Sequence, residues 1–247
     1  EANDPKGISF DENGVPIYPD GNFDAIANND VNEKSWAAYL QANFEGDAGS
    51  IPIRGNVGLR AVKTKVLSNG FRGTLIATPL VGGGFRLVQD DTQPLVPISA
   101  NSSYTEYLPS FNLVADVASD VQARLAVFRA LSRPDPSSLG YGRTFNATND
   151  TDATSIADII GSARASGNPF LAPLLSWNFD AALEWYPNAD TILAGGVYYK
   201  SFNGGFDAVG QFETFEVNGQ PLQALVTTEE TSNDTSTIYG FELTAAH

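Results

Sequence analysis

Residues 177–186 read Trp177-Asn178-Phe179-Asp180-Ala181-Ala182-Leu183-Glu184-Trp185-Tyr186. Read as a strand, Trp177, Phe179, Ala181, Leu183 and Trp185 fall on one face, and Asn178, Asp180, Ala182, Glu184 and Tyr186 on the other. The apolar face carries a tryptophan at each end with smaller residues between. Eight residue steps at about 3.3 Å, tilted by roughly 40°, give a height of about 20 Å, close to the apolar band of a transmembrane β-barrel. Aromatic girdles at two water–lipid interfaces would place Trp177 and Trp185, with Phe179 and Leu183 facing lipid between them. A half-buried strand of a soluble sandwich fits the same alternation. The two differ in whether this face lies open or is covered by a second sheet.

Alternation recurs outward from this stretch. Trp36, Ala38, Leu40, Ala42 and Phe44 share a face; Val57, Leu59 and Ala61 oppose Arg54, Asn56, Gly58 and Arg60; Phe111, Leu113, Ala115 and Val117 oppose Ser110, Asn112, Val114 and Asp116; Tyr239, Phe241 and Leu243 oppose Ile238, Gly240, Glu242 and Thr244. Strand pairs are expected at about 52–66 with 70–79, 104–117 with 120–131, 176–187 with 190–203 and 208–217 with 221–228, with a last strand at about 236–245. In 121–131 the faces are mixed, because Phe128 falls with Arg124 and Val127 with Arg129. Ser68-Asn69-Gly70 and Asn218-Gly219 read as hairpin turns, and Ser119-Asp120 and Pro187-Asn188-Ala189-Asp190 as tight connections. Residues 1–35 are Asp-, Asn-, Gly- and Pro-rich and read as an acidic loop, with the strands over 36–247. The long connection 132–175 is polar, with a short helix expected over Ile156–Ala165. Tight turns alternating with long polar loops are the asymmetry of an outer-membrane barrel, short turns inside and long loops outside.

Composition narrows the chemistry. The net charge is −15 from 14 basic and 29 acidic residues, which opposes a nucleic-acid partner. Residues 51–133 nevertheless hold nine basic and five acidic residues, whereas 134–247 hold three and fourteen. The 247 residues include no Cys and no Met, and the only histidine is His247, so Ser-His-Asp and Cys-His sites are not expected, nor is a zinc cluster. The chain begins at Glu1, and the expectation is a processed product or a piece of something longer. Gly82-Gly83-Gly84 lacks phosphate-loop spacing and reads as a strand kink. Asp11-Glu12-Asn13 and Asn149-Asp150-Thr151-Asp152 offer oxygens to Ca²⁺ without EF-hand spacing and read as solvated loops. Asp180 and Glu184 stand about 13 Å apart along one strand, too far for a retaining glycosidase pair. No cofactor, metal site or enzymatic activity is expected.

Several phrases stand out together: Tyr39-Leu40-Gln41-Ala42-Asn43-Phe44-Glu45, Ile53-Arg54-Gly55-Asn56-Val57-Gly58-Leu59-Arg60, Tyr107-Leu108-Pro109-Ser110-Phe111-Asn112-Leu113, Ala130-Leu131-Ser132-Arg133-Pro134, Asn168-Pro169-Phe170-Leu171, the 177–186 stretch, Tyr198-Tyr199-Lys200 and Tyr239-Gly240-Phe241-Glu242-Leu243. In this order and spacing they resemble the barrel of a TonB-dependent outer-membrane receptor, of the kind found in glycan-scavenging proteobacteria. The resemblance covers roughly residues 36–245 and implies an all-β, antiparallel up-and-down transmembrane barrel. Of the family's roughly 22 strands about ten are expected here, and neither the plug nor the TonB-binding segment is recognised in these residues. It further implies active uptake of a scarce solute, an oligosaccharide or less readily a siderophore, at the outer membrane of a Gram-negative bacterium. The implied partners are outer-membrane lipid, a plug domain with further barrel strands, and the TonB complex. Arg54, Asn56, Arg60, Asn178, Asp180 and Glu184 are the candidate lumen or substrate residues; lumen solvation and plug docking are their plainer roles. Tyr141 and Phe145 are candidate sugar-stacking aromatics, with loop self-packing as the plainer role. A soluble secreted glycan-binding or adhesin sandwich is the alternative.

Overall fold

The computed structural model describes residues 9–10, 16–17, 29–90, 92–145, 148–156, 159, 162–203 and 205–247. The strands are β1 (Ser9–Phe10), β2 (Pro16–Ile17), β3 (Asp30–Ala48), β4 (Ile51–Arg72), β5 (Leu75–Pro79), β6 (Phe85–Gln89), β7 (Val96–Ala118), β8 (Val121–Ser132), β9 (Arg143–Phe145), β10 (Thr148–Asp150), β11 (Ser162–Ala165), β12 (Leu174–Asn188), β13 (Thr191–Asn203), β14 (Phe206–Val217), β15 (Gln220–Thr231) and β16 (Thr235–Ala246). Helical structure among the described residues is confined to the 3₁₀ turn Pro136–Leu139 and a 3₁₀ position at Ile156. The all-β expectation therefore holds.

Seven strands form an antiparallel wall in the order β3-β4-β7-β8-β12-β13-β16, curling into part of a barrel. Cross-strand partners point to the same side, so register carries the alternation of one strand across the sheet. Phe179 lies in one row with Val127, Phe111, Val57 and Ala42 on one side and with Tyr199 and Tyr239 on the other. The rows of Ala181 and Leu183 continue this apolar face through Leu125, Leu113, Val197, Phe241 and Leu243. No second sheet covers it among the described residues. Trp177, Phe179, Leu183 and Trp185 are 43%, 43%, 53% and 45% exposed, which removes the sandwich alternative. Trp185 donates from Nε1 to Asp120 Oδ2 at 2.7 Å, a polar tip at the rim of an apolar face.

The wall's two ends differ. Gly49-Ser50, Ser119-Asp120 and Ala189-Asp190 turn the chain tightly at one end. At the other lie the long connections 73–95, 133–173 and 204–234. Those connections build a lobe rather than bare loops. Its strands continue from the tip of β4 in the order β9-β11-β15-β14-β5-β6-β10. Leu75, Leu87, Ile159, Ala163, Phe215, Val217, Ala224 and Val226 fill its core.

Four local expectations change. Ser68-Asn69-Gly70 is no turn: β4 runs straight through it, paired with β3 at Asp30↔Asn69 and with β7 out to Arg72↔Val96. Gly70 is there for close approach, since a Cβ would lie 2.7 Å from the Tyr141 carbonyl carbon. The 70–79 strand accordingly resolves into the end of β4 and the separate β5. The hairpin β14–β15 forms as read, with Asn218 and Gly219 at φ 48° and 74°, but it belongs to the lobe. The wall has no gap for it, because β13 pairs directly with β16 from Ile192↔Ala246 to Asn203↔Thr235. The helix expected over Ile156–Ala165 does not reach the end of that span: Ser162–Ala165 is β11, parallel to β15, and Ile159 and Ala163 are apolar because the lobe core surrounds them. Gly82, Gly83 and Gly84, at φ 105°, 111° and 82°, make the β5–β6 turn rather than a kink.

Candidate functional site: the polar face of the wall

The side of the wall opposite Phe179 is polar because the same register acts on the alternate residues. One row runs Asn43, Asn56, Asn112, Ala126, Asp180, Tyr198 and Gly240. The next, nearer the tight turns, runs Glu45, Arg54, Val114, Arg124, Ala182, Gly196 and Glu242. Asn178 is in the row above, with Phe128 and Lys200, and Glu184 stands opposite Gln122. Arg54, Asn56, Arg60, Asn178, Asp180 and Glu184 thus share one face. They form two groups, on β4 and β12, with β7 and β8 between them, about 14 Å apart across the sheet.

Much of this face is internally paired. Arg54 Nη1 contacts Asp116 Oδ2 at 2.7 Å. Arg124 Nε contacts Glu184 Oε1 at 2.8 Å, and Tyr186 donates its hydroxyl to Glu184 Oε2 at 2.7 Å. Asn112 Nδ2 donates to Asn56 Oδ1 at 2.9 Å. Asn178 is 4% exposed and donates to Ser176 Oγ at 3.1 Å. Among the described residues Asp180, Lys200, Glu242 and Arg60 have no ion-pair partner. A hollow of about 590 Å³ spans β7, β8, β12, β13 and β16, lined on its polar side by Asn112, Arg124, Asn178, Asp180, Tyr198, Lys200 and Glu242. Its charges nearly balance, and it mixes donors with acceptors.

Asn112, Arg124, Tyr198, Lys200 and Glu242 were not among the sequence candidates. Their signal was period-2 position, and for Arg124 it was masked by Phe128 on the same face. Arg60 sits about 13 Å along β4 from Asn56, beside Tyr39 and Leu108. The aromatic candidates lie elsewhere. Tyr141 belongs to the lobe, edge-on to Phe170 at 6.4 Å with the Arg143 guanidinium 4.6 Å over its ring. Phe145 is in β9, opposite Ala163. Arg143 is 8% exposed on its side chain and forks onto Glu213, Nε to Oε1 at 3.0 Å and to Oε2 at 3.1 Å, tying β9 to β14.

The acidic loop segments have local roles where they are described. Asp150 Oδ1 accepts from the backbone N–H groups of Asp152 and Ala153 at 3.0 and 3.1 Å. Asp11-Glu12-Asn13 lies outside the described residues. Nδ1 of His247 is 2.8 Å from Thr191 Oγ1.

Solved structures similar to this chain include the ferric enterobactin receptor of Pseudomonas aeruginosa in complex with enterobactin, at 11% identity and a TM-score of 0.42 over 86% of this chain and 33% of that one. The siderophore receptor PirA of Acinetobacter baumannii is similar at 11% identity and a TM-score of 0.43, over 87% of this chain and 34% of that one. The chain therefore spans about a third of the length of these structures. No curated protein matches it. The family described as TonB dependent receptor-like, beta-barrel, matches residues 3–247, and this chain, with one apolar face, one polar face and two unlike ends to its wall, belongs to that family of outer-membrane barrels.

Proposed function

We propose that this chain supplies wall and external lobe to a receptor that actively takes up a scarce oligosaccharide, powered through a plug and the TonB complex. The long-loop end, including residues 132–175 and 203–237, faces outward, as long loops do in such barrels. The observation that carries the cargo class is the hollow around Asp180, Tyr198, Lys200 and Glu242. A neutral polyol offers hydroxyls that both donate and accept, which suits amides, carboxylates and an ammonium whose charges nearly cancel. An anionic cargo would call for a surplus of cations, and none is present among these residues. Arg54 with Asp116 and Asn56 with Asn112, already paired near the tight-turn end, suit plug contact better than cargo contact. Tyr141 packs the lobe, and Phe145 stays a proposed stacking residue.

The test uses the full-length receptor containing this chain. Malto-, xylo-, manno- and chito-hexaose are titrated by calorimetry. One class binds, and Asp180→Asn combined with Lys200→Gln weakens it at least tenfold. Silence from all four sugars, together with tight binding of a ferric catecholate, overturns the cargo class.

A further inference from the structure

The outer face holds a feature that uptake does not use. Going toward the long-loop end, its rows pass from Leu40–Leu59–Pro109 and Ala38–Ala61–Tyr107 to Trp36–Lys63–Thr105 and then to Lys34–Lys65–Ser103. Three of the chain's five lysines are thus gathered on two adjacent strands, in a protein of net charge −15. All three are exposed. Lys34 stands directly opposite Lys65, a like-charge pairing that sheets ordinarily avoid. None of the three has a carboxylate within ion-pair distance among the described residues. Glu33 on β3 and Glu106 on β7 face the other side and pair with Arg133 and Arg129, while Asp30, on the lysine face, accepts a hydrogen bond from Asn69. Lys65 Nζ lies 6.0 Å from the centre of the Trp36 ring, so its partner is an aromatic face at the edge of the apolar band. Beside the lysines is a hollow of about 440 Å³, lined on this face by Asn32, Lys34, Lys65, Leu67, Asn101 and Ser103.

We propose that Lys34, Lys63 and Lys65 form a site on the outside of the wall for the phosphate groups of an anionic lipid headgroup. The inference rests on the reading that this wall crosses the membrane with its long loops outward. The site lies where the apolar band gives way to polar side chains, which is headgroup depth. There lysine stems lie along apolar surface while their ammonium groups reach phosphates. An anion between Lys34 and Lys65 turns their repulsion into two attractions. Asn32, Asn101 and Ser103 add hydrogen-bonding groups for the rest of the headgroup, and Leu67 an apolar floor. The source is a lipid rather than free phosphate because the hollow opens onto the same face as Leu40, Leu59 and Tyr107, which acyl chains would cover.

The full-length receptor is titrated in neutral-detergent micelles with diphosphoryl lipid A, and bound lipid is counted by native mass spectrometry. The combined Lys34→Gln, Lys63→Gln and Lys65→Gln variant binds at least tenfold more weakly than the parent. Fully dephosphorylated lipid A does not distinguish the two proteins, and Arg86→Gln, a cation removed from the lobe, changes nothing. The triple variant sheds a like-charge pair, so its folding is not endangered. Undiminished diphosphoryl lipid binding by that variant overturns the site. Displacement of the lipid by millimolar inorganic phosphate overturns its lipid source. Membrane placement is read separately, by brominated-lipid quenching of a dye on Leu183→Cys in a cysteine-free background. Quenching without lysine dependence sinks the site alone, and loss of quenching sinks the membrane reading and the site with it.

Discussion

Strand β4 obeys two opposite burial rules within its own length. From Ile51 to Ala61 its odd residues are the apolar ones, and Val57 and Leu59 are 50% and 49% exposed, while Arg54, Asn56 and Arg60 take the other face. From Val62 to Ser68 the even residues are buried, Val62, Thr64, Val66 and Ser68, with Leu139, Leu171 and Val31 packed on Val66. The strand does not slip register between the two halves, since its ladders to β3 and β7 are unbroken. What changes is the surroundings. In the wall, water is expected on the polar side and hydrocarbon on the apolar side, so exposure of an apolar side chain costs nothing. Where β4 meets the lobe, its even side is covered by other protein, and apolar residues there turn toward each other as in any soluble domain. One chain thus carries a barrel-wall sheet and a small soluble-type core, joined by a strand common to both.

That contrast can be broken most sharply in the lobe. Phe215 is 2% exposed at the centre of its core, with the Arg72 guanidinium 5.4 Å over its ring. Phe215→Ala is expected to cost the lobe about 3–5 kcal/mol. The wall should not notice. Protease added to intact cells carrying the full-length variant should cut faster within 132–175 and 203–237, spare the turns at 119–120 and 187–190, and leave heat-modifiable migration intact. Loss of that migration would mean that wall and lobe fold as one unit.

A smaller effect, and the opposite rule, is expected on the wall. Leu183→Arg puts a charge on the apolar face and should cost about 2–4 kcal/mol if it lies near the midplane. Ala126→Arg, on the polar face beside Asp180, should cost about 0.5 kcal/mol or less. Urea titration of the bilayer-inserted receptor measures both. Equal costs would show that the two faces do not meet different media.

The smallest effect is electrostatic and confined to the lobe. The Asp135 carboxylate accepts from the Ser137 hydroxyl at 2.6 Å and from its backbone N–H at 2.8 Å, which holds its pKa below the ordinary 3.8 and caps the Pro136–Leu139 turn. Because the folded value is the depressed one, this stabilisation is present above the ordinary carboxylate range and fades as pH falls through the folded pKa. Amide exchange in residues 136–139 should therefore be protected at neutral pH and lose protection only in strong acid. Asp135→Asn should abolish that pH dependence without touching the wall.

The faces of the wall were legible in the chain because a strand's side chains alternate with a period of two, and β12 writes that alternation plainly between Trp177 and Trp185. Turn chemistry was legible where conformation is forced: Asn218-Gly219 needs φ above zero at both positions, and both residues adopt it. At Ser68-Asn69-Gly70 the same residue types misled, because a glycine can serve close approach as well as a turn, and the Tyr141 backbone that requires it is 71 residues away. Polar-face positions on β4 and β12 were visible, whereas Arg124 and Lys200 were not, because a mixed strand acquires its faces from its neighbours' register.

By itself the sequence determined that this protein is all-β, where most strands lie, which residues share a face on each, and which connections are tight. These are consequences of local backbone geometry and of side-chain size and polarity, written within a few residues of one another. Only the tertiary structure decided which hairpins join the wall and which join the lobe. A wall strand such as β16 and a lobe strand such as β14 alternate with the same period, and what separates them is the partner each pairs with. The β13–β16 ladder closes over the whole β14–β15 hairpin between them. Such a choice rests on hydrogen bonds between residues far apart in the chain and on which side meets another core, and neither is encoded in any single segment.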